Sequence, residues 1–505
     1  MKKYALMSTA VFCLAILFLW LAMQFDSQRR YGQNASIGAE NEAEKYVQHK
    51  YSNQKKESFY RNLSKAVQFE TISAKGIGSS KDAFNGFNNL LRETYPLSMN
   101  TLKQVYKSEH SQLLSLEGRN TDLAPVLLIA HSDVVPVQTR RLTKDTSSKA
   151  ATWQYPPFAG EMDEEHIWGR GALDNKSAIL AMLEAMELRT QEGKGRPERT
   201  IYFAFTHDEE VGGHLGAKRL ARYMREKRIR PYFVLDEGQA VTQGIVPNVK
   251  KPVALVGVTQ KGYMTVELSV KGEPGHSMLP PKATAIAKLS EAIYRLNESP
   301  MPPEMTSPIK AMFRQLSHHM SFPKNLMLYH TWLTEPVVSS QLSKKKTTDA
   351  LIRTSMSVNV INGGVAENVL PKSASALVNY RIAPHNTSDE VLAHIEEAIA
   401  GTEVQFKVVS AIEEPSPISS HEHDAYHRIA KVIHNVFSDA IIAPSITLAT
   451  TDSRHFADLT EQVFRFSPIF LKKEDLSRFH GINERISKHN YIQMIDFYRG
   501  LYDSI

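Results

Sequence analysis

Four apolar runs in this chain each give way to an acid or a histidine where a strand should end. His131 and Asp133 fall in LLIAHSDVVP, Asp174 in WGRGALDNKS, Glu209 and Glu210 in FAFTHDEEVGG, and Asp236 in YFVLDEG. Open α/β sheets hold their ligands in the crevice outside the carboxyl ends of the strands. Carboxylates and imidazoles collected there are the donor set that a two-metal hydrolase needs. The pattern predicts an α/β chain, with its chemistry at one end of a mostly parallel sheet.

With 505 residues and 42% hydrophobic content, the chain can bury a large core and should form more than one domain. The formal charge of +6 comes from 60 basic and 54 acidic residues that are interspersed rather than clustered. The run Lys344-Lys345-Lys346 reads as a solvated loop, and no nucleic-acid partner is expected.

Met1-Lys2-Lys3 precedes an almost wholly apolar run from Tyr4 to Gln24, long enough to cross a bilayer. Leu21-Ala22-Met23-Gln24 offers no small-residue cleavage site, so residues 1–26 are expected to be an uncleaved membrane anchor rather than a signal for secretion. Lys2 and Lys3 place the amino terminus on the cytoplasmic side, although Arg29 and Arg30 weigh against this. The bulk of the chain is then extracytoplasmic, periplasmic or extracellular. The single cysteine, Cys13, lies in the apolar run. No disulfide can form within one copy, and any metal must be held by His, Asp and Glu.

Residues 27–54 read as a polar stalk. A first helix is expected near Glu57 to Gln68, strands at Ala124 to Ala130 and Thr200 to Thr206, and a helix from Ser177 to Thr190. This alternation predicts a mostly parallel sheet across 55–260, completed by 413–505. Between them, 261–412 has a different texture: Tyr263 to Val270 alternates as a half-exposed strand, and Ser357 to Leu370 reads as two strands turning at Asn362-Gly363. With helices at Ala283 to Leu296 and Ser388 to Ile399, it is expected to be an inserted α+β unit, a lid or dimerisation domain. The stretch from Ser299 to Pro336, rich in Pro and Met, is an extended or helical embellishment of that unit.

Singly, the candidate residues are weak. His131 and Asp133 share one face of an extended segment, where the carboxylate can buttress the imidazole, but a satisfied core histidine shows the same spacing. Asp174 could be a plain helix cap. Glu209 and Glu210 cannot point the same way in extended chain, so one can ligate while the other meets the attacking water. An acidic turn with Asp208 is the plainer reading. Asp236 could likewise be a cap. Four strand ends carrying such residues together favour the metal site.

The chain resembles the zinc aminoacylase and carboxypeptidase S family of co-catalytic metallopeptidases, in particular its membrane-anchored carboxypeptidase S and N-fatty-acyl-amino-acid hydrolase branch. The motifs AHSDVVP, WGRGALDNK, HDEEVGG, LDEG, GEPGHSMLP, NYRIAP, TTDSRHF and HGINERI occur in that family's order, from about Glu57 to the carboxyl terminus. The resemblance implies two Zn²⁺ ions, with Co²⁺ or Mn²⁺ as substitutes. His131 and Asp236 would hold one, Glu210 and His480 the other, and Asp174 would bridge them. It further implies Glu209 as general base, Asp133 orienting His131, and a cis peptide at Asp174-Asn175. His276 would steady the oxyanion, a contribution of ~3 kcal/mol for one such donor. Arg381 would grip a substrate carboxylate, with Asn368 and Arg454 beside it. In dimeric relatives the partner supplies the histidine corresponding to His276, so a homodimer is a possible partner state.

The expected reaction is hydrolysis of an amide bond next to a carboxylate, in a small peptide or an N-acyl amino acid. The competing reading is a binding ectodomain of the same fold, which retention of Glu209 and all five ligands disfavours.

Overall fold

The computed structural model describes residues 51–73, 80–137 and 153–505, together with Trp20, Leu21 and Met23. Strands β1 to β16 span, in order, Lys103–Ser108, Ser111–Leu116, Val126–His131, His166–Trp168, Ile201–Thr206, Phe233–Gln243, Val253–Gln260, Gly262–Lys271, Gly275–His276, Ser355–Gly363, Val369–Leu370, Ser373–Ile382, Gln405–Val408, Ile441–Thr447, Val463–Lys472 and Arg485–Ser487.

Eight strands form the main sheet in the order β1-β2-β5-β3-β6-β15-β7-β14. Its centre is parallel: β3 pairs with β5 and β6, β6 with β15, and β7 with β14. Every residue of β3 is buried, as expected for a strand covered on both faces. Register decides which residues can meet. His131 lies level with Thr206, and Leu128 level with Leu235, so the residues just beyond β3 and β5 and within β6 come together at one edge.

The helix Lys176–Gln191 is buried all round from Lys176 to Leu188, so it has no polar face and packs between the sheet and the helices Asn53–Val67 and Lys488–Ser504. Its two interior acids are satisfied. Glu184 accepts from Asn62 Nδ2 at 2.7 Å and Tyr95 Oη at 2.9 Å, and Glu187 accepts from Ser98 N and Ser98 Oγ, both at 2.7 Å.

A second, antiparallel sheet runs β10-β12-β8-β13. Burial alternates along β8, and its inward residues Met264, Val266 and Leu268 share a separate core with Leu289 and Ile395 of the helices Ala285–Glu298 and Ser388–Ala398. The chain leaves and re-enters the main sheet side by side: Tyr263 N donates to Glu413 O at 2.8 Å, and Glu413 N to Tyr263 O at 2.9 Å. A Cβ on Gly262 would stand 2.4 Å from the Glu413 carbonyl, so only glycine permits this crossing.

Two details depart from the sequence reading. The stretch from Ser299 is helical, but its helices Ser307–Ser317 and Thr331–Leu342 share a core with Ile441, Ala443 and Ile446 of β14. They therefore clothe the edge of the main sheet instead of decorating the small one, which removes an open strand edge. Asn362-Gly363 is no hairpin turn. β10 continues through both residues, pairing Gly363 with Ala374 of β12, and β11 leaves to pair with β9. Among the described residues no helix is long and apolar enough to cross a membrane. The expected anchor and stalk lie outside the described residues, apart from Trp20, Leu21 and Met23 and the start at Tyr51.

Candidate metal centre

The end of β3 presents His131 with its two ring nitrogens differently engaged. Nδ1 donates to the Asp133 carbonyl at 3.0 Å, and Nε2 faces Asp174 Oδ1 at 3.0 Å and Glu237 Oε1 at 3.2 Å. Asp133 is fully buried, and its carboxylate accepts the backbone N–H of Glu209 and of Glu210, each at 3.1 Å. The residue thus ties the β3 end to the short 3₁₀ turn Glu209–Val211 after β5. His455 secures the far side of that turn, with Nε2 at 2.9 Å from Gly212 O. Burial and neighbouring Arg454 push His455 down to about 3, so the ring is neutral. Gly213 comes next at φ +66°, where a Cβ would stand 2.2 Å from Asp452 Oδ1.

Asp174 sits between the histidines. While Oδ1 meets His131, Oδ2 lies 3.3 Å from His480 Nε2, which is also 3.2 Å from Glu210 Oε2. The peptide Asp174-Asn175 is cis. His480 holds a left-handed backbone at φ +56° and is 54% exposed. Two residues that the sequence reading passed over hold it in place. Buried Glu484 accepts three backbone N–H groups, those of Gly171, Leu173 and Asp174, through Oε1, and pairs with Arg170 Nη1 at 2.5 Å through Oε2. Arg170 Nη2 donates in turn to the carbonyls of His480 and Gly481, each at 3.1 Å. The loops carrying Asp174 and His480 are therefore locked together, far apart as they are in sequence.

Asp236 does not join this group. Its carboxylate accepts Glu237 N at 2.9 Å and Ser453 N at 2.7 Å, while the next residue, Glu237, turns to His131 and Asn175. Adjacent side chains of an extended strand point to opposite faces, so only one acid of LDEG can reach the cleft. LDEG marked the place and left the choice of acid to the strand's facing.

Three overlapping groups have donor atoms within 4.8 Å of one another: His131, Glu209 and Glu210; His131, Asp174 and Glu237; and Asp174, Glu210 and His480. Tetrahedral ligands at zinc's bond lengths stand about 3.3 Å apart, close to the separations between these donors. The donors fit such an ion. The carboxylates crowd one another. Burial raises Glu209 well above the ordinary carboxylate range, and burial beside Asp174 and Asp236 pushes Glu237 up to about 8. Hydrogen bonds to Asp174 and Glu210 lift His480 to about 10.

The remaining candidates fall into two places. Arg381 stacks on the Tyr263 ring, 4.9 Å from guanidinium carbon to centroid, and Arg454 Nη1 lies 3.6 Å from Glu413 Oε2. Buried Nη1 of Arg381 and Nε of Arg454 have no hydrogen-bond partner among the described residues. Both belong to a cationic cluster at the crossing between the sheets. Arg454 also reaches the turn after β5, with Nη2 3.8 Å from where a Gly212 Cβ would be. His276 and Asn368 meet on the β9–β11 ribbon, where Ser277 N donates to Asn368 O at 3.1 Å. Both are exposed, and neither belongs to the donor groups found among the described residues.

A mainly parallel sheet with a shared-carboxylate donor cluster at its strand ends defines a metal-dependent hydrolase. The chain belongs to the peptidase family M20/M25/M40, whose family model matches residues 127–504. It is similar to the N-fatty-acyl-amino acid synthase/hydrolase PM20D1 of Xenopus tropicalis, 36% identical over 440 residues that cover 86% of this chain and 83% of that protein. The probable carboxypeptidase S-like 2 of Dictyostelium discoideum is 37% identical, covering 87% of this chain and 83% of that protein. Among solved structures, the fold matches an M20 family metallo-carboxypeptidase from Sulfolobus solfataricus with a TM-score of 0.62 at 16% identity, covering 88% of this chain and 98% of that one. Human carnosine dipeptidase 1 matches with a TM-score of 0.59 at 16% identity, covering 90% and 96%.

Proposed function

We propose that this chain hydrolyses an amide bond adjacent to a carboxylate, on small peptides or N-acyl amino acids, with two Zn²⁺ ions as its cofactors. The cationic cluster carries this reading: two half-buried arginines, each with a buried nitrogen that has no partner among the described residues, stand beside the acidic turn, a place suited to a planar anion. Both relatives' names describe substrates of that kind.

His131, Asp174 and Glu237 would hold one ion, and Asp174, Glu210 and His480 the other. Bound there, the ions supply Lewis acidity toward the scissile carbonyl and an activated water. Glu209 takes the proton from the attacking water and returns it to the leaving nitrogen, and burial, which raises its affinity for protons, suits that shuttle. Asp133 fixes the backbone of Glu209 and the tautomer of His131. Arg381 and Arg454, with Asn368, position the substrate carboxylate, and His276 donates to the developing oxyanion. The apolar run from Tyr4 to Gln24 supports a membrane anchor with the catalytic body on the extracytoplasmic side.

Glu209→Gln should retain the full metal content and lower kcat by about 10²–10⁴-fold. Near-normal turnover in the metal-loaded variant would rule out the assignment. Assays on a long-chain acyl amino acid beside a dipeptide separate the two substrate kinds.

A further inference from the structure

The helix Thr331–Leu342, in sequence TWLTEPVVSSQL, turns its apolar side to solvent. Thr331, Val338 and Ser339 are buried, and Val338 packs in the core with Ile309, Met312 and Phe313, which fixes the helix's orientation. Trp332 is 73% exposed, Leu333 56% and Val337 53%. With Pro336 these recur at i, i+1, i+4 and i+5, and so form one face. Exposed Ser340 and Gln341 continue the row, and exposed Lys344, Lys345 and Lys346 end it.

Charge on this side is one-signed. The helix's only acid, Glu335, is held by Lys310 at 2.9 Å, and Asp349 by Arg353 at 2.8 Å. None of the three lysines enters an ion pair among the described residues, and Lys344 reaches only Gln341, at 3.3 Å. A further exposed aromatic, Phe322, precedes exposed Lys324 in the preceding turn.

A contiguous bulky apolar face on a folded surface marks a place of interaction. Tryptophan and leucine on a helix that lies flat, with lysines at its end and no uncompensated acid, match an interface where apolar groups enter acyl chains and cations meet anionic headgroups. We propose that this helix face, with Lys344 to Lys346, docks on an anionic lipid surface. The face shares no residue with the donor groups and does not depend on the catalytic reading.

The test uses the full chain with Cys13→Ser, removing its only cysteine, and Val337→Cys carrying a nitroxide. Accessibility to oxygen and to a water-soluble nickel chelate is measured with and without vesicles of phosphatidylcholine and phosphatidylglycerol. Oxygen access should rise and nickel access fall severalfold at 337, while a label at exposed Glu396 stays unchanged. Changing each of the three lysines to glutamine should weaken this by about fivefold per residue. Unchanged access at 337, equal immersion in pure phosphatidylcholine, or coupling between two labels without lipid, which would show pairing of two copies, would each overturn the proposal.

Discussion

Asp174 turns one carboxylate oxygen to His131 and the other to His480, so a single side chain joins two donor groups. Removing a neighbour from either group should therefore act on metal content before it acts on chemistry. Glu237→Gln is expected to lose bound metal in elemental analysis, whereas Asp236→Asn should keep it. The reverse result would restore Asp236 as the ligand. Arg381→Ala should lower kcat/KM by roughly 100-fold on substrates bearing the carboxylate, a charged hydrogen bond's worth of about 1.5–3 kcal/mol. On the same substrates with that group amidated the effect should vanish. At this scale the residue types were legible in LDEG and HDEEVGG, because chemistry needs particular donors, whereas His480 in HGINERI came only from the family resemblance, since a lone loop histidine carries no strand-end signal. Which of two adjacent acids faces the cleft was not, because strand facing depends on where β6 bends between neighbours.

The elements carry these residues by borrowing partners from distant sequence. The turn Glu209–Val211 hangs from Asp133, and the helix Lys176–Gln191 starts directly behind Asp174. That helix bears a pH-sensitive weakness in buried Glu184. Burial pushes it from 4.5 to about 7, against the hydrogen bonds from Asn62 and Tyr95. Between those values the unfolded chain ionises first, so stability is full below pH 4.5 and falls as pH rises through about 7. The loss is roughly 3 kcal/mol. Glu184→Gln keeps an acceptor for both donors and removes the charge, so it should melt higher than the parent at about pH 8 and alike at about pH 4. A difference that does not change with pH would contradict this. The strands β3, β5 and β8 and the helices at 176–191 and 388–398 stood close to where apolar periodicity put them. The Asn362-Gly363 turn failed because β12 offered β10 a longer ladder than a two-residue hairpin could.

Across the whole molecule, the donors come from the ends of β3 and β5, from β6, and from loops at 174 and 480, so ions held there would tie together segments spread from 131 to 480. Binding only to the folded state adds stability by mass action, about 4 kcal/mol when free metal is about 1,000-fold above Kd. Stripping the metal with a chelator should lower Tm, and lowering pH should promote metal loss, since protons compete for His480, which holds its own up to about 10. An unchanged Tm on chelation would mean the cluster is not a metal site. Sequence alone determined the α/β alternation and the kinds of donor at the strand ends, because burial periodicity and ligand chemistry are local properties. Tertiary structure alone decided that Glu237 and not Asp236 turns toward His131, that Arg170 and Glu484 lock Asp174 to His480, and that the 307–352 helices cover β14. Each of these depends on which surfaces meet once the sheet's register is set.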